Sequence, residues 1–267
     1  YGTHACVKLR HLQVPIITRR FRGLLMKGNM FVYPVFMFLL LFTGLSNGVY
    51  ASEGFTGSVQ GGAVFTGYND VALPGDTGTK ISFHDELETG PGFSPRVEAG
   101  YEFSFPLYAG IMASTLRLDA DGTLDRPVEF DNKIFSAGTG VKATYRFDSY
   151  RATARYYFID NTAFRAGAGF TAKIRDAEIT LEGGGQKGGL KNTGFVPILN
   201  LYLQWFISPS FSMLVYGDGA WSPYGRAEDF FAGADWKIND NFSLMAGYRI
   251  LEGGADNDTV YTFSLFH

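Results

Sequence analysis

The sequence is poor in the residues most enzymes lean on. One of its 267 residues is cysteine, Cys6, and four are histidine. Charged residues make up only 18% of the chain, an unusual balance for a soluble enzyme. Long hydrophobic runs are missing too. The longest, Met30 to Phe42, has thirteen residues broken by Pro34, short of the roughly 20 that a membrane helix needs. What is abundant is glycine, 34 residues, and aromatic side chains: 25 Phe, 15 Tyr and 3 Trp.

The apolar run has a different use. Arg19, Arg20, Arg22 and Lys27 precede it, and Val49-Tyr50-Ala51 follows with small residues at the −3 and −1 positions. That is the three-part layout of a secretory signal peptide. Residues 1–51 are therefore expected to be an upstream and signal segment, with translation starting at Met26 and cleavage after Ala51. Residues 52–267 form the expected mature domain. All 26 acidic residues lie in it, but only seventeen of the 23 Lys and Arg, a net charge of −9. This balance excludes nucleic acid as a partner, because phosphates require a basic footprint. Removing Cys6 leaves no thiol chemistry.

The mature chain alternates. Phe242, Leu244, Ala246, Tyr248 and Ile250 share one face of a two-residue period, followed by a turn and then Tyr261, Phe263 and Leu265. The pattern repeats from Phe55 onward, which predicts strands with one apolar face throughout. The connections Phe105/Tyr108, Phe158/Phe164, Trp205/Phe211 and Trp236/Phe242 are short and the alternate ones long, as in outer-membrane barrels with short periplasmic turns. Those eight aromatic residues form an expected periplasmic girdle, the depth that amphipathic rings prefer. The expected fold is all-β: a transmembrane antiparallel up-and-down β-barrel of about ten strands, with twelve or eight as alternatives. Between Tyr108 and Phe158 two topologies fit. One is a single long hairpin turning at Asp131-Asn132 with a bulge at Asp148, where the apolar phase flips. The other is four shorter strands.

With the apolar face outward, the inward face carries Arg96, Glu98, Glu102, Arg117, Arg151, Arg155, Arg165, Lys173, Arg175, Asp218, Asp229, Asp235, Lys237 and Arg249. Buried charges persist only when paired, so these predict an ion-pair network plugging the lumen. A narrow solute channel is the alternative. A barrel hydrolase acting on lipid A or peptides is a further one, resting on His84 with Asp85 and Ser82 in the first long loop. Consecutive residues of an extended segment point to opposite sides, so they form no natural dyad. No catalytic residue, metal site or cofactor is expected. GGGQKGG lacks the Lys-Ser/Thr ending of a phosphate loop.

PGDTGT (74–79), FDSYRATARYYF (147–158), FTAKIRDAEI (170–179), GRAED (225–229) and YRILEGGADNDTVYTF (248–263) resemble an uncharacterised family of Gram-negative outer-membrane β-barrel proteins. The resemblance spans nearly all of the mature chain. It implies location and fold but no reaction. It implies, as partners, outer-membrane lipid, lipopolysaccharide and the barrel-assembly machinery, around a monomeric, porin-like protein. The last strand is the expected weak seam. Nine residues from Thr259 can just span a membrane, and the outward position after Leu265 is His267 rather than the usual Phe or Trp. Closure against the first strand should be weak, and a longer C-terminus should tighten it.

Overall fold

A computed structural model describes residues 53–223 and 225–267; the expected signal segment lies outside the described residues. Every regular element among them is a strand. In chain order these are β1 (Gly54–Val64), β2 (Thr66–Ala72), β3 (Ile81–Ser82), β4 (Glu88–Thr89), β5 (Gly92–Glu102) and β6 (Leu107–Thr123). Then come β7 (Val128–Phe130), β8 (Lys133–Phe135), β9 (Gly140–Asp160), β10 (Phe164–Gly183) and β11 (Gln186–Ser208). The last four are β12 (Phe211–Ser222), β13 (Gly225–Lys237), β14 (Ser243–Asp256) and β15 (Tyr261–Phe266).

Thirteen strands make one antiparallel sheet, with β7 and β8 paired separately. The pairing order is β1-β5-β6-β9-β10-β11-β12-β13-β14-β15-β2-β3. Only Phe65 separates β1 from β2. Both ends of the order therefore fall on one run of chain, and the sheet curls round to meet its own first strand. Tight turns drive the succession of hairpins. Gly184 and Gly185 (φ 58° and 76°) connect Gly183 to its partner Gln186, a two-residue loop of the kind that needs positive φ at both positions. The GGGQKGG stretch is thus a hairpin tip and the start of β11.

The region from Tyr108 to Phe158 is a single long hairpin. β6 and β9 pair without interruption from Leu107↔Tyr156 to Thr123↔Gly140. The small β7–β8 hairpin sits between them, turning at Asp131 and Asn132 with φ of 54° and 56°. The expected bulge at Asp148 is absent: Asp148 pairs in register with Thr115 and Asp176. The one irregularity between β9 and β10 lies at Ala166/Gly167.

What flips at Asp148 is polarity, not geometry. Along β9, odd residues face inward from one end to the other. Toward the short turns, the inward residues are Arg151, Thr153, Arg155 and Tyr157, and the outward ones Tyr150, Ala152, Ala154 and Tyr156. Toward the loops, the inward residues are Val141, Ala143, Tyr145 and Phe147, and the outward ones Lys142, Thr144, Arg146 and Asp148. β6 and β10 switch at the same level. Outward Thr115, Arg117, Asp119 and Asp121 back inward Leu116, Leu118 and Ala120, and outward Asp176, Glu178 and Glu182 back inward Ile179 and Leu181.

A hydrophobic core fills the loop end. Ile81, Phe83, Val128, Phe130, Phe135 and Leu181 are fully buried. The segment between β2 and β5 and the β7–β8 hairpin fold inward over the sheet. The hairpin is tied down by Asp131 N–H to Leu73 C=O (2.7 Å) and Thr79 N–H to Glu129 C=O (2.8 Å). The Asp131 carboxylate accepts from Lys133 (2.9 Å) and from Gly189 N–H (3.2 Å). The Lys133 ammonium, helped by that amide, holds this carboxyl below its ordinary range.

Candidate functional site

The hub of the interior is Asp229 on β13, 1% exposed. Its Oδ2 accepts from Arg96 on β5 and Arg151 on β9, both at 2.6 Å, and its Oδ1 from Arg249 on β14 at 2.6 Å. Arg151 also reaches Asp218 Oδ2 on β12 at 2.5 Å. The other oxygen of Asp218 accepts from Thr171 and Asn200, both at 2.8 Å. Arg249 continues to Gln60 (3.0 Å) and Tyr216 (2.9 Å), and Arg155 to Asn200 (2.7 Å). The network ties strands from opposite sides of the curled sheet, which isolated hairpins cannot do.

The positions follow from strand period and register. Asp218 and Asp229 are cross-strand partners, so two carboxylates sit side by side and need several cations to be tolerated. Three arginines against two carboxylates leave one net positive charge. Lys173, opposite Arg151 across the β9–β10 pair, adds another, with its ammonium 5.0 Å from the centre of the Phe147 ring. Every oxygen of the two carboxylates is engaged by donors. Groups so occupied are unavailable as general bases, and the arrangement is that of a brace.

The remaining inward candidates lie around this hub or elsewhere. Glu98 accepts from the Tyr108 hydroxyl (2.7 Å) and Glu102 from Tyr157 (3.0 Å). Arg165 pairs with Asp160 (3.0 Å), and Arg175 donates to Asn192 (3.1 Å). Asp235 faces the same cavity as the hub, at its short-turn end. Two residues depart from expectation. Arg117 faces outward, where it meets Asp119 at 3.5 Å, because beyond the polarity switch the outer face is the charged one. Lys237 ends β13 and pairs with Asp240 (2.9 Å) in the exposed turn. Gln60, Ser149, Thr171, Asn200 and Tyr216 complete the network. Their inward phase was readable, but charge alone was used to choose members.

Of the girdle residues, Phe105, Phe158, Trp205, Phe211, Trp236 and Phe242 are exposed on the outer face beside the short turns. Phe164 stacks on Trp205, with centroids 6.1 Å apart. Tyr108 is the exception and is buried inside. It lies opposite inward Glu102 across the β5–β6 pair, and cross-strand partners share a face.

His84 is exposed at the loop end. The Ser82 hydroxyl accepts from Asp85 N–H (3.1 Å), and Ser82 N–H donates to Glu86 (3.1 Å). Ser82 thus caps a turn. Among the described residues, no group of three or more His, Cys, Asp or Glu side chains is placed to hold a metal ion.

No family model matches the chain. No curated protein matches it either. Among solved structures it is similar to Ail, the attachment invasion locus protein of Yersinia pestis, crystallised with the heparin analogue sucrose octasulfate. The identity is 14%, over 80% of this chain and 96% of that one, with a TM-score of 0.35. A likeness of that size carries no argument about ligand or activity.

Proposed function

We propose that this chain is an outer-membrane β-barrel protein of a Gram-negative bacterium. In this reading it is non-enzymatic, its lumen is closed, and it serves envelope integrity or surface binding through the part that stands outside the membrane. The observation that carries the proposal is the change of outer-face polarity at one level around β6, β9 and β10. A soluble sheet has no reason to expose Phe170, Phe195, Leu201 and Trp236 in a continuous band. Along β11 the outward apolar residues run from Phe195 to Trp205, ten residue steps. At about 3.3 Å per residue and a tilt of roughly 40–45°, that is about 24 Å, the height of an outer-membrane apolar band.

Above the band the outer wall is polar and the inside is packed like a soluble core. That is the arrangement of a barrel rising out of the membrane into water. The hub and the apolar core lie in series along the lumen, which supports a non-conducting protein over a solute channel. Planar-bilayer recordings should therefore show no discrete conductance steps.

Topology is tested by thiol labelling on whole cells in a Cys6→Ser background. Asp119→Cys, outward above the band, should react with a membrane-impermeant maleimide. Leu201→Cys, outward within it, should react only after the membrane is dissolved in detergent and the protein unfolded. Equal labelling of both on intact cells would sink the membrane reading.

A further inference from the structure

The wall is complete everywhere except beside β15. β15 has six residues and pairs with Leu251 to Asp256 of β14 on one side. On the other side it pairs with β2, and the contact ends in a reciprocal backbone pair between Phe65 and His267 (2.7 and 2.9 Å). Below that point β14 pairs only with β13, from Ser243 to Ile250, and β1 pairs only with β5. A cavity of about 990 Å³ runs from the hub into this space, lined by residues 56–65 along one edge and 241–249 along the other. Phe55 and Val59, outward on β1, are 90% and 84% exposed, the highest values for large apolar side chains among the described residues. They lack the cross-strand neighbour that covers their counterparts elsewhere in the wall.

We propose that this slot is a docking site for one further β-strand, laid in line with β15. Where β15 is present, one strand bridges β14 and β2, so the flanking edges stand two strand spacings apart, roughly 9.6 Å. That admits a single strand and not two. Both edges run in the same direction, because both are antiparallel to β15, so one incoming strand satisfies both at once. Main-chain hydrogen bonds supply the attachment, as in strand addition to any open sheet edge.

Register sets length and pattern. Leu251 opposes Phe266, so His267 falls opposite Ile250, and seven further residues reach from Arg249 to Ser243. Phe266 is buried inside, while His267 lies outside against Phe65 (6.2 Å) and Tyr248 (5.8 Å). The occupant therefore starts with an inward residue, small or polar beside Arg249 and Gln60, and alternates with outward apolar ones beside Tyr248 and Val59. The occupant is a continuation of β15, because its register with β14 and its pairing with Phe65 already deliver it to the mouth of the slot. In lipid the open edges would strand backbone donors and acceptors that nothing else can satisfy. That cost rests on the outer-membrane reading, whereas the pairing argument stands without it.

The test is amide hydrogen exchange of the 267-residue chain in detergent micelles, which reads pairing whether or not the protein belongs to a membrane. In the chain alone, the amides of residues 54–64 and 243–250 that point into the slot should exchange as freely as loop amides. Joining the eight residues Ser-Val-Thr-Leu-Ser-Val-Thr-Phe to His267 should slow them on the order of 100-fold. A version of the added segment shifted by one residue, which turns the apolar positions inward, should not. The proposal is overturned if the slot amides are already as protected as those of β9 and β10. It is also overturned if both segments act alike, if the free octapeptide protects as well as the joined one, or if protection rises with protein concentration as a dimer forms.

Discussion

Replacing Asp229 by asparagine would remove the one carboxylate on which Arg96, Arg151 and Arg249 converge. All three contacts are 2.6 Å and the side chain is 2% exposed, so bulk water cannot take over its role. Before the change, three guanidinium groups face two carboxylates. Afterwards they face Asp218 alone, and the local excess rises from one positive charge to two. Breaking a buried pair by removing one partner costs about 3–5 kcal/mol. Asparagine keeps one acceptor oxygen, which offsets part of the loss, so we expect about 4 kcal/mol, near a thousandfold in the folding equilibrium. The assay is urea unfolding in lipid vesicles. Arg117→Gln is the control: its pair with Asp119 is 66% and 64% exposed and should contribute about 0–1 kcal/mol. Adding Arg249→Met to Asp229→Asn should recover part of the loss, since it removes a charge left without its partner. A cost for Asp229→Asn within 1 kcal/mol of the control would refute the hub.

Three further outcomes are expected. Phe130→Ala empties a fully buried position and should cost about 3–5 kcal/mol by cavity formation, read in the same unfolding assay. Leu201→Arg, outward at mid-band, should cost about 2–4 kcal/mol in vesicles, while Asp119→Arg, outward above the band, should stay within about 0.5 kcal/mol. The Asp131 link gives a pH response. Its folded carboxyl is depressed by Lys133, so its contribution is complete above the ordinary Asp value near 3.9. It is lost as pH falls through the lower folded value. Proteolysis within residues 124–139 should accelerate below about pH 4, and Asp131→Asn should abolish that acid step.

The strands and their outer apolar residues were legible because a two-residue period needs no tertiary information. Lumen membership was legible for Arg151, Arg155, Lys173, Asp218, Asp229 and Arg249 for the same reason. It failed for Arg117, where the apolar residues of β6 had moved inside and the rule that apolar means outward no longer held. It failed for Tyr108, whose face depends on the register of the Phe103–Leu107 turn. The flip at Asp148 shows why. Its pattern was read correctly, but a bulge and a change of surroundings leave the same trace in a sequence. Only the unbroken β6–β9–β10 register tells them apart.

By itself, then, the sequence determined that the chain is a succession of antiparallel strands with one apolar face, joined by alternating short and long connections. Those properties follow from local period and turn chemistry. The tertiary structure alone decided which charges meet. Arg96, Arg151 and Arg249 come from three strands, and Asp229 is 133, 78 and 20 residues away from them. It also decided that the loop end is packed as a dry core, and that β14 and β1 face each other across an unfilled slot. Such contacts depend on how far the sheet curls before it meets itself, and no alternation within one strand records that.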